Sequence, residues 1–349
     1  MSETPPGVDL DRLRPWFAAN VEGATGAALD ASLISGGRSN LTYSIGDGTH
    51  EWVLRRPPLG HVLPTAHDMA REHTVLSALA ATDVPVPRTL AFCRDDTVND
   101  APFYVMEKVD GVILRTPEEL ARLSEVDARR CSECLIDVLV AIHAVDYRSA
   151  GLAEFGHPDG YLERQVRRWG EQWERSKSRD LPAIEELARR LRAALPVSPA
   201  PTIVHGDYRL DNTMLAADDP GRIVAVLDWE MATLGDPLSD LGLFLVYWGR
   251  DQVTFAGANP STSPDAGFLS RDEVAQRYAT ASGRDVSQLD FYEMLASYKL
   301  AIILEGIHAR FLMGKTVGAG FDHIGTMVES IAEAALASGA RSSIAALRG

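Results

Sequence analysis

The segments VHGDYRLDN, Val204–Asn212, and VLDWE, Val226–Glu230, decide the fold of this chain. Between them, two short strands are predicted on either side of the turn ADDPGR, Ala217–Arg222, whose residue types favour a turn. In an antiparallel hairpin, the residue before the first strand and the residue after the second lie at the same end. Asn212 and Asp228 are therefore predicted to be neighbours, although they are sixteen positions apart.

These two side chains are suited to binding a metal ion. An amide oxygen and a carboxylate are hard ligands, typical of Mg²⁺ held by one or two protein groups together with phosphates. Asp207 precedes Asn212 by five residues on the same loop, where it can face the metal and accept a proton from a substrate hydroxyl. The alternative is a structural hairpin that carries incidental acidic residues.

The pattern HGDxxxxN with a downstream LDWE resembles the motifs of the aminoglycoside phosphotransferase and choline kinase superfamily, distant relatives of the protein kinases. The resemblance implies phosphoryl transfer that depends on ATP and Mg²⁺, with Asp207 as the catalytic residue. It implies that Asn212 and Asp228 are the magnesium ligands and that His205 braces the loop. It also implies that Asp240 supports the loop through backbone hydrogen bonds.

The first part of the chain supplies an independent test, because a kinase needs a strand cation that contacts ATP phosphates and pairs with a helix glutamate. The third predicted strand ends in Arg55. Glu72 lies within the apolar stripe of a helix predicted over 65–81, where a carboxylate is costly unless paired. We predict an Arg55–Glu72 pair, because strand alternation places Arg55 and Arg56 on opposite faces. The alternatives are that Glu72 extends to solvent or that Arg56 is the functional cation.

The superfamily usually has lysine where this chain has Arg55. Arginine keeps the positive charge and can bind phosphate with two donors at once. Phosphate binding at this position is therefore compatible with the substitution.

The turn SGGRSN, Ser35–Asn40, takes the position of a kinase glycine-rich loop. The backbone amides of Gly36 and Gly37 and the hydroxyl of Ser39 are candidates to cover the phosphates of a nucleotide. Any Gly-Gly hairpin has a similar sequence, so this pattern alone has low specificity.

The segment that begins at Met106 resembles the gatekeeper and hinge of kinases. The resemblance implies that backbone groups of Glu107 and Val109 bind adenine, so these three residues are candidate nucleotide contacts.

The order of elements predicts an α+β, two-lobed protein-kinase-like fold. Short antiparallel strands with one helix dominate residues 1–110, the predicted nucleotide-binding lobe, with its hinge at 106–111. Helices dominate 111–349, the predicted second lobe, which carries the catalytic loop 204–212, the metal-binding strand end 226–230 and the acceptor-binding helices.

Composition excludes several classes of protein. The net charge of −15 argues against general nucleic-acid binding, which needs a basic surface. No run of about 18 apolar residues indicates a membrane span, and the first residues lack the pattern of a secretion signal. The three cysteines include Cys131 and Cys134 in an apolar helical run, which favours core packing over metal binding. We therefore expect a cytoplasmic protein with reduced cysteines.

Two patterns bear on the acceptor of the phosphoryl group. Segments such as FYVMEKVDG, 103–111, resemble a branch that includes the kinase-like domain at the start of certain fused acyl-CoA dehydrogenases, which implies hydroxylated acyl thioesters as acceptors. Arg164, Arg168 and Glu230 are candidate acceptor contacts. The arginines favour an anionic acceptor, and the alternative is a solvated arginine face paired with nearby glutamates.

Three hypotheses follow from these patterns. The first is phosphoryl transfer to a hydroxyl of a small metabolite, with acyl-type metabolites as the candidate class. The second is the same reaction on an antibiotic such as an aminoglycoside. The third is a nucleotide-binding pseudokinase that regulates a partner without turnover, which Arg55 permits and the intact Asp207, Asn212 and Asp228 oppose.

Overall fold

The computed structural model describes residues 4–34, 40–60, 68–249, 262–314 and 321–349. The strands predicted around Arg55 form one antiparallel sheet, with strands β1 Asp30–Leu33, β2 Leu41–Gly46, β3 Glu51–Arg56, β4 Thr89–Cys93 and β5 Phe103–Glu107. Their order in the sheet is β1-β2-β3-β5-β4, so β3 is the central strand. In this register Arg55 lies opposite Thr42 on β2 and Tyr104 on β5.

One face of the sheet is covered by a helix that sequence analysis does not predict, α1 Leu10–Asn20. It begins where the carboxylate of Asp9 accepts a hydrogen bond from a backbone N–H of the first turn. Leu13 and Phe17 of the helix are buried in one core with Tyr43 and Leu54 of the sheet. The N-terminal helix therefore supplies the apolar cover for this face of the sheet.

The opposite face packs against α2 Met69–Leu79, which Asp68 caps at its N-terminus. Residues 65–67 of the predicted helix lie outside the described residues. Strand alternation is as predicted, because Arg55 meets α2 whereas Arg56 donates to the backbone carbonyls of Gly7 and Asn99 on the other side. A third, short helix, α3 Asp96–Asn99, precedes β5.

The chain divides into two units. The first comprises Met1–Gly111, Arg148–Leu152 and Val224–Ala232, and the second comprises the remaining residues. The second unit is mainly helical, with α4 Pro117–Leu120, α5 Glu125–Ala144, α6 Tyr161–Ser176, α7 Pro182–Ala193, α8 Leu238–Tyr247, α9 Arg271–Ser282, α10 Leu289–Leu312 and α11 Ile324–Gly339. This segregation of a strand-rich part and a helical part is the predicted α+β class.

Short strands carry the functional motifs of the sequence. They are β6 Thr202–Val204, β7 Thr213–Ala216, β8 Asp219–Val226 and β9 Thr233–Gly235, which form the two-stranded sheets β6-β9 and β7-β8. The predicted turn over 217–222 is too long, because β8 already begins at Asp219. A single 3-10 turn, Leu210–Asn212, connects the catalytic motif to β7.

Cys131 is fully buried on α5 and Cys134 is partly buried, and both are free thiols, as core packing predicts. In the described ranges, no helix combines the length and the apolar character needed to cross a membrane. The cytoplasmic location stays a prediction.

Candidate active site

The catalytic motif follows β6, and its backbone is held by Asp240 of α8. The Asp240 carboxylate is buried and accepts hydrogen bonds from the backbone N–H of His205 at 2.7 Å and of Gly206 at 2.8 Å. These are the backbone hydrogen bonds predicted for Asp240. Gly206 has φ +84°, a left-handed conformation that costs glycine little and other residues more. The loop therefore depends on a glycine and on a buried carboxylate.

Sequence analysis does not identify His143, which contacts Asp240, or Tyr278, which contacts His143. His143 of α5 places its Nε2 3.2 Å from the Asp240 carboxylate, and its Nδ1 lies 2.7 Å from the hydroxyl of Tyr278 on α9. Burial alone would raise the pKa of Asp240. The hydrogen bond and charge of His143, the charge of His205 and the Gly206 amide instead hold that pKa below its usual range.

Asp207 and Asn212 are in direct contact. The side-chain amide of Asn212 donates to the Asp207 carboxylate and to the Asp207 backbone carbonyl, both at 2.8 Å. The backbone N–H of Asp207 donates to Nδ1 of His205 at 3.2 Å, which is a bracing contact of the kind predicted for His205. Both the backbone and the carboxylate of Asp207 are therefore fixed by neighbours in the same loop.

The loop also carries Arg209, which sequence analysis does not select. Its Nε lies 3.5 Å from the Asp207 carboxylate, and its Nη2 lies 2.8 Å from Asp211. The guanidinium lies over the ring of Tyr247, with its central carbon 5.1 Å from the ring centre. A cation two residues after the candidate catalytic aspartate is visible in the sequence and could have been selected on that ground.

In the first unit, the predicted ion pair between Arg55 and Glu72 is present and buried, with Nε 3.0 Å from the Glu72 carboxylate. The same guanidinium lies 3.4 Å from the hydroxyl of Thr42 and 2.5 Å from the Asp228 carboxylate. Burial raises the pKa of Glu72, and Arg55 opposes that rise. Burial disfavours the charge of Arg55, yet Glu72 and Asp228 raise its pKa above the ordinary value.

Asp228 adopts a left-handed backbone conformation with φ +65° and ψ +63°. Only two non-glycine residues of the described ranges have positive φ, and Asp100 is the other. Such a conformation carries a cost that neighbouring contacts must offset. The ion pair with Arg55 is one such contact, so Arg55 orients the side chain that is predicted to bind the metal.

The two predicted metal ligands, one in each unit, each offer an oxygen of the kind that Mg²⁺ prefers. The side-chain nitrogen of Asn212 is committed to Asp207, which leaves its oxygen as the atom for a metal, and Asp228 contributes a partly exposed carboxylate. Within the described ranges, no cluster of three or more His, Cys, Asp or Glu side chains could hold a metal alone. A metal here would thus need additional ligands such as phosphates, as Mg²⁺ commonly does. The proximity of Asn212 and Asp228 stays a prediction.

The remaining nucleotide candidates are only partly described. Gly36, Gly37 and Ser39 lie outside the described residues. Met106 is buried opposite Val53 of β3, and cross-strand partners point to the same face, here the face of Arg55.

At the predicted hinge, the backbone N–H of Glu107 donates to the Arg88 carbonyl at 2.9 Å, so this N–H is already used. Val109 is partly buried. The adenine contacts predicted for this segment would therefore involve other backbone groups than the Glu107 N–H.

Among the acceptor candidates, Arg164 is used locally, because its guanidinium donates to the backbone carbonyls of His157 and Asp159. Arg168 is exposed on α6. Glu230 accepts a hydrogen bond from the side chain of Asn40 at 2.8 Å. The structure therefore leaves Arg168 as the better placed of the two arginines to meet a ligand.

The sequence profile described as the phosphotransferase enzyme family matches residues 30–292 of this chain. The chain belongs to that family. This member of the phosphotransferase family is 35% identical over 344 residues to acyl-CoA dehydrogenase family member 11 of Gallus gallus. The alignment covers 94% of this chain and 42% of the relative. The chain thus spans less than half the length of the curated relatives it matches.

Two solved structures share the fold. A Ralstonia eutropha protein classed with the aminoglycoside phosphotransferases is 31% identical, with a TM-score of 0.82, and 95% of this chain and 98% of that chain are covered. A thermostable mutant of the aminoglycoside phosphotransferase APH(4)-Ia, in ternary complex with ADP and hygromycin B, is 17% identical with a TM-score of 0.63. The superposition covers 95% of this chain and 98% of the APH(4)-Ia chain. These similarities confirm the predicted superfamily and fold class.

Proposed function

We propose that the protein is an ATP- and Mg²⁺-dependent phosphotransferase that moves the γ-phosphate of ATP to a hydroxyl of a small molecule. The observation that carries the proposal is the preorganised carboxylate of Asp207, which Asn212 holds at 2.8 Å while Asp240 anchors the preceding backbone. A carboxylate fixed in this way can orient an acceptor hydroxyl and accept its proton without reorganisation during the reaction.

The nucleotide would be held by the first unit. Arg55 presents a buried guanidinium whose charge Glu72 maintains, and a guanidinium is suited to α- and β-phosphate oxygens. The magnesium ion, held by Asn212 and Asp228 together with phosphate oxygens, would supply neutralisation of the phosphate charge. Positioning and charge compensation are the main catalytic contributions expected of such a site.

For the acceptor, we favour a hydroxylated acyl metabolite such as a CoA ester. The sequence similarity to acyl-CoA dehydrogenase family member 11 supports this class, and the exposed Arg168 is suited to an anionic group. The alternative acceptor is an aminoglycoside or related antibiotic. It is supported by the similarity to aminoglycoside phosphotransferases, one of which is bound to hygromycin B.

One observation favours a second candidate, a nucleotide-binding pseudokinase with a regulatory role. The Arg55 guanidinium contacts Glu72, Thr42 and Asp228 at once, so phosphates would have to compete with these partners. If the phosphates do not displace these partners of Arg55, the protein would bind nucleotide without turnover.

The test is ATP consumption with Mg²⁺ in the presence of a panel of hydroxylated acyl-CoA esters and aminoglycosides. We expect consumption that depends on one acceptor class and that is lost in Asp207→Ala. Activity on aminoglycosides, together with drug resistance in cells that express the protein, would select the antibiotic acceptor. ATP binding without acceptor-dependent consumption would select the pseudokinase.

A further inference from the structure

A lysine that the catalytic assignment does not use lies beside the catalytic loop. Lys299 belongs to α10, within the apolar run SYKLAIIL, and is one of only four lysines in the chain. Its Nζ donates to the backbone carbonyl of Gly206 at 2.8 Å. The ammonium also lies 5.8 Å from the ring centre of Trp169 on α6, within the range of a cation–π contact.

The hydrogen bond places Lys299 at the peptide unit that joins Gly206 to Asp207. The carbonyl of Gly206 and the N–H of Asp207 belong to the same planar peptide group. Lys299 donates to that carbonyl, and the N–H donates to His205. The other side of Gly206 is held as well, because its own N–H donates to the buried carboxylate of Asp240. Gly206 is therefore anchored by a carboxylate at its N–H and by an ammonium at its carbonyl.

Packing alone does not explain a lysine at this position. Burial disfavours the ammonium and lowers the pKa of Lys299, and the carboxylates of Asp207 and Asp240 oppose that shift while Arg168 adds to it. Methionine would fill a similar volume in an apolar helix without a desolvation cost. The position of Nζ on the Gly206 carbonyl gives the charge a specific partner.

We propose that Lys299 is a positioning residue that sets the orientation of the Gly206–Asp207 peptide and thereby the direction of the Asp207 side chain. The effect on turnover rests on the function proposed above. The effect on the geometry of the loop does not.

The geometric part is tested by hydrogen exchange of the peptide that spans 204–212, with Lys299→Met compared with the wild type. We expect exchange in this peptide to become faster by about tenfold, because a fixed hydrogen bond is lost locally. Lys299→Arg keeps a charged donor and should stay within about twofold of the wild type. Unchanged exchange in Lys299→Met would overturn the proposal.

The matched control is Lys177→Met, which removes a lysine that is ion-paired with Glu174 at the end of α6. It should leave exchange over 204–212 unchanged. If Lys299→Met does not fold, Lys299→Leu, which also lacks a side-chain donor, takes its place, with the same expectation and the same contradicting outcome.

The catalytic part is measured as Mg-dependent hydrolysis of ATP, with water as acceptor. We expect kcat to fall by about 10- to 100-fold in Lys299→Met, because a small misplacement of a catalytic group has an effect of this size. The KM for ATP should stay within about twofold, and Lys299→Arg should restore most of kcat. A loss confined to KM, or absence of rescue by arginine, contradicts a positioning role.

The two parts fail separately. A wild-type protein without any ATP turnover would count against the proposed function, while the exchange experiment would still decide the role of Lys299.

Discussion

The two units hold their candidate functional aspartates by different means. In the first unit, Asp228 is held through its side chain, by an ion pair with Arg55, which Glu72 supports. In the second unit, Asp240 and Lys299 hold Asp207 through the backbone of Gly206, and Asn212 holds its carboxylate. In the first unit, an ion pair thus fixes a side chain. In the second unit, buried charged groups fix a backbone peptide through hydrogen bonds.

This difference separates the expected effects of mutations. Removing one member of a buried ion pair leaves an uncompensated charge, so stability and ligand affinity should suffer together. Removing a charge that anchors a peptide misplaces a neighbouring side chain, so turnover should suffer more than affinity.

The largest effect is expected for Asp207→Asn, which preserves shape but removes the proton acceptor. Turnover should fall by roughly two to four decades, the usual contribution of a general base. ATP affinity, measured by titration calorimetry, should barely change. Loss of ATP binding instead would mean that Asp207 belongs to the nucleotide site. It would contradict the proposal that the first unit holds the nucleotide while Asp207 of the second unit acts on the acceptor.

A smaller effect is expected for Asp240→Asn, because one amide oxygen must then serve the two N–H groups of His205 and Gly206. The free energy of unfolding in urea should fall by about 2 kcal/mol, since a buried donor is left unsatisfied. Turnover should fall about tenfold or more at unchanged KM for ATP. An equal rise in KM would show that the loop anchoring also shapes nucleotide binding.

The pair Glu72→Gln and Arg55→Lys tests the ion-pair arrangement. Glu72→Gln removes one of the two carboxylate partners of a buried guanidinium, while Asp228 remains. It should weaken ATP binding by about tenfold, with a stability loss of about 1.5–3 kcal/mol. Arg55→Lys loses the separate contacts that the guanidinium makes with Glu72 and Asp228, but it keeps the positive charge. Its effects should therefore be smaller than those of Glu72→Gln. If Arg55→Lys lowers ATP affinity and stability more than Glu72→Gln does, the geometry of the guanidinium is more important here than the charge.

The smallest effect concerns pH. Because the folded protein holds the pKa of Asp240 below its ordinary value of 3.8, the ionised carboxylate stabilises the fold. That contribution is complete well above the ordinary value and is lost as the pH falls through the lower folded-state value. Urea midpoints between pH 7 and pH 3 should therefore fall more steeply in the wild type than in Asp240→Asn. Parallel curves would assign the acid sensitivity to other carboxylates.

Sequence reasoning succeeded where one local pattern carried the information. Strand alternation and the helical stripe predicted the Arg55–Glu72 pair, and the HGDxxxxN spacing selected residues that lie together in the second unit. Family resemblance predicts that Asp240 supports the loop through backbone hydrogen bonds, and two such bonds are present.

Two of the missed residues act over long sequence distances. Lys299 is 93 positions from Gly206, and His143 is 97 positions from Asp240. No periodicity or spacing connects such pairs. The helix α1 was missed for another reason, since Pro15 lies inside it and interrupts a helical pattern.

The covering helix α1 and the anchoring Lys299 both lie outside residues 30–292, the part of the chain that the family profile matches. A fragment trimmed to that match would expose the apolar face that includes Tyr43, Leu54 and Phe103, and exposed patches of this kind promote aggregation. It would also cut α10 near its start and remove the ammonium from the Gly206 carbonyl. Any recombinant fragment used to test the proposed function should therefore retain both flanks.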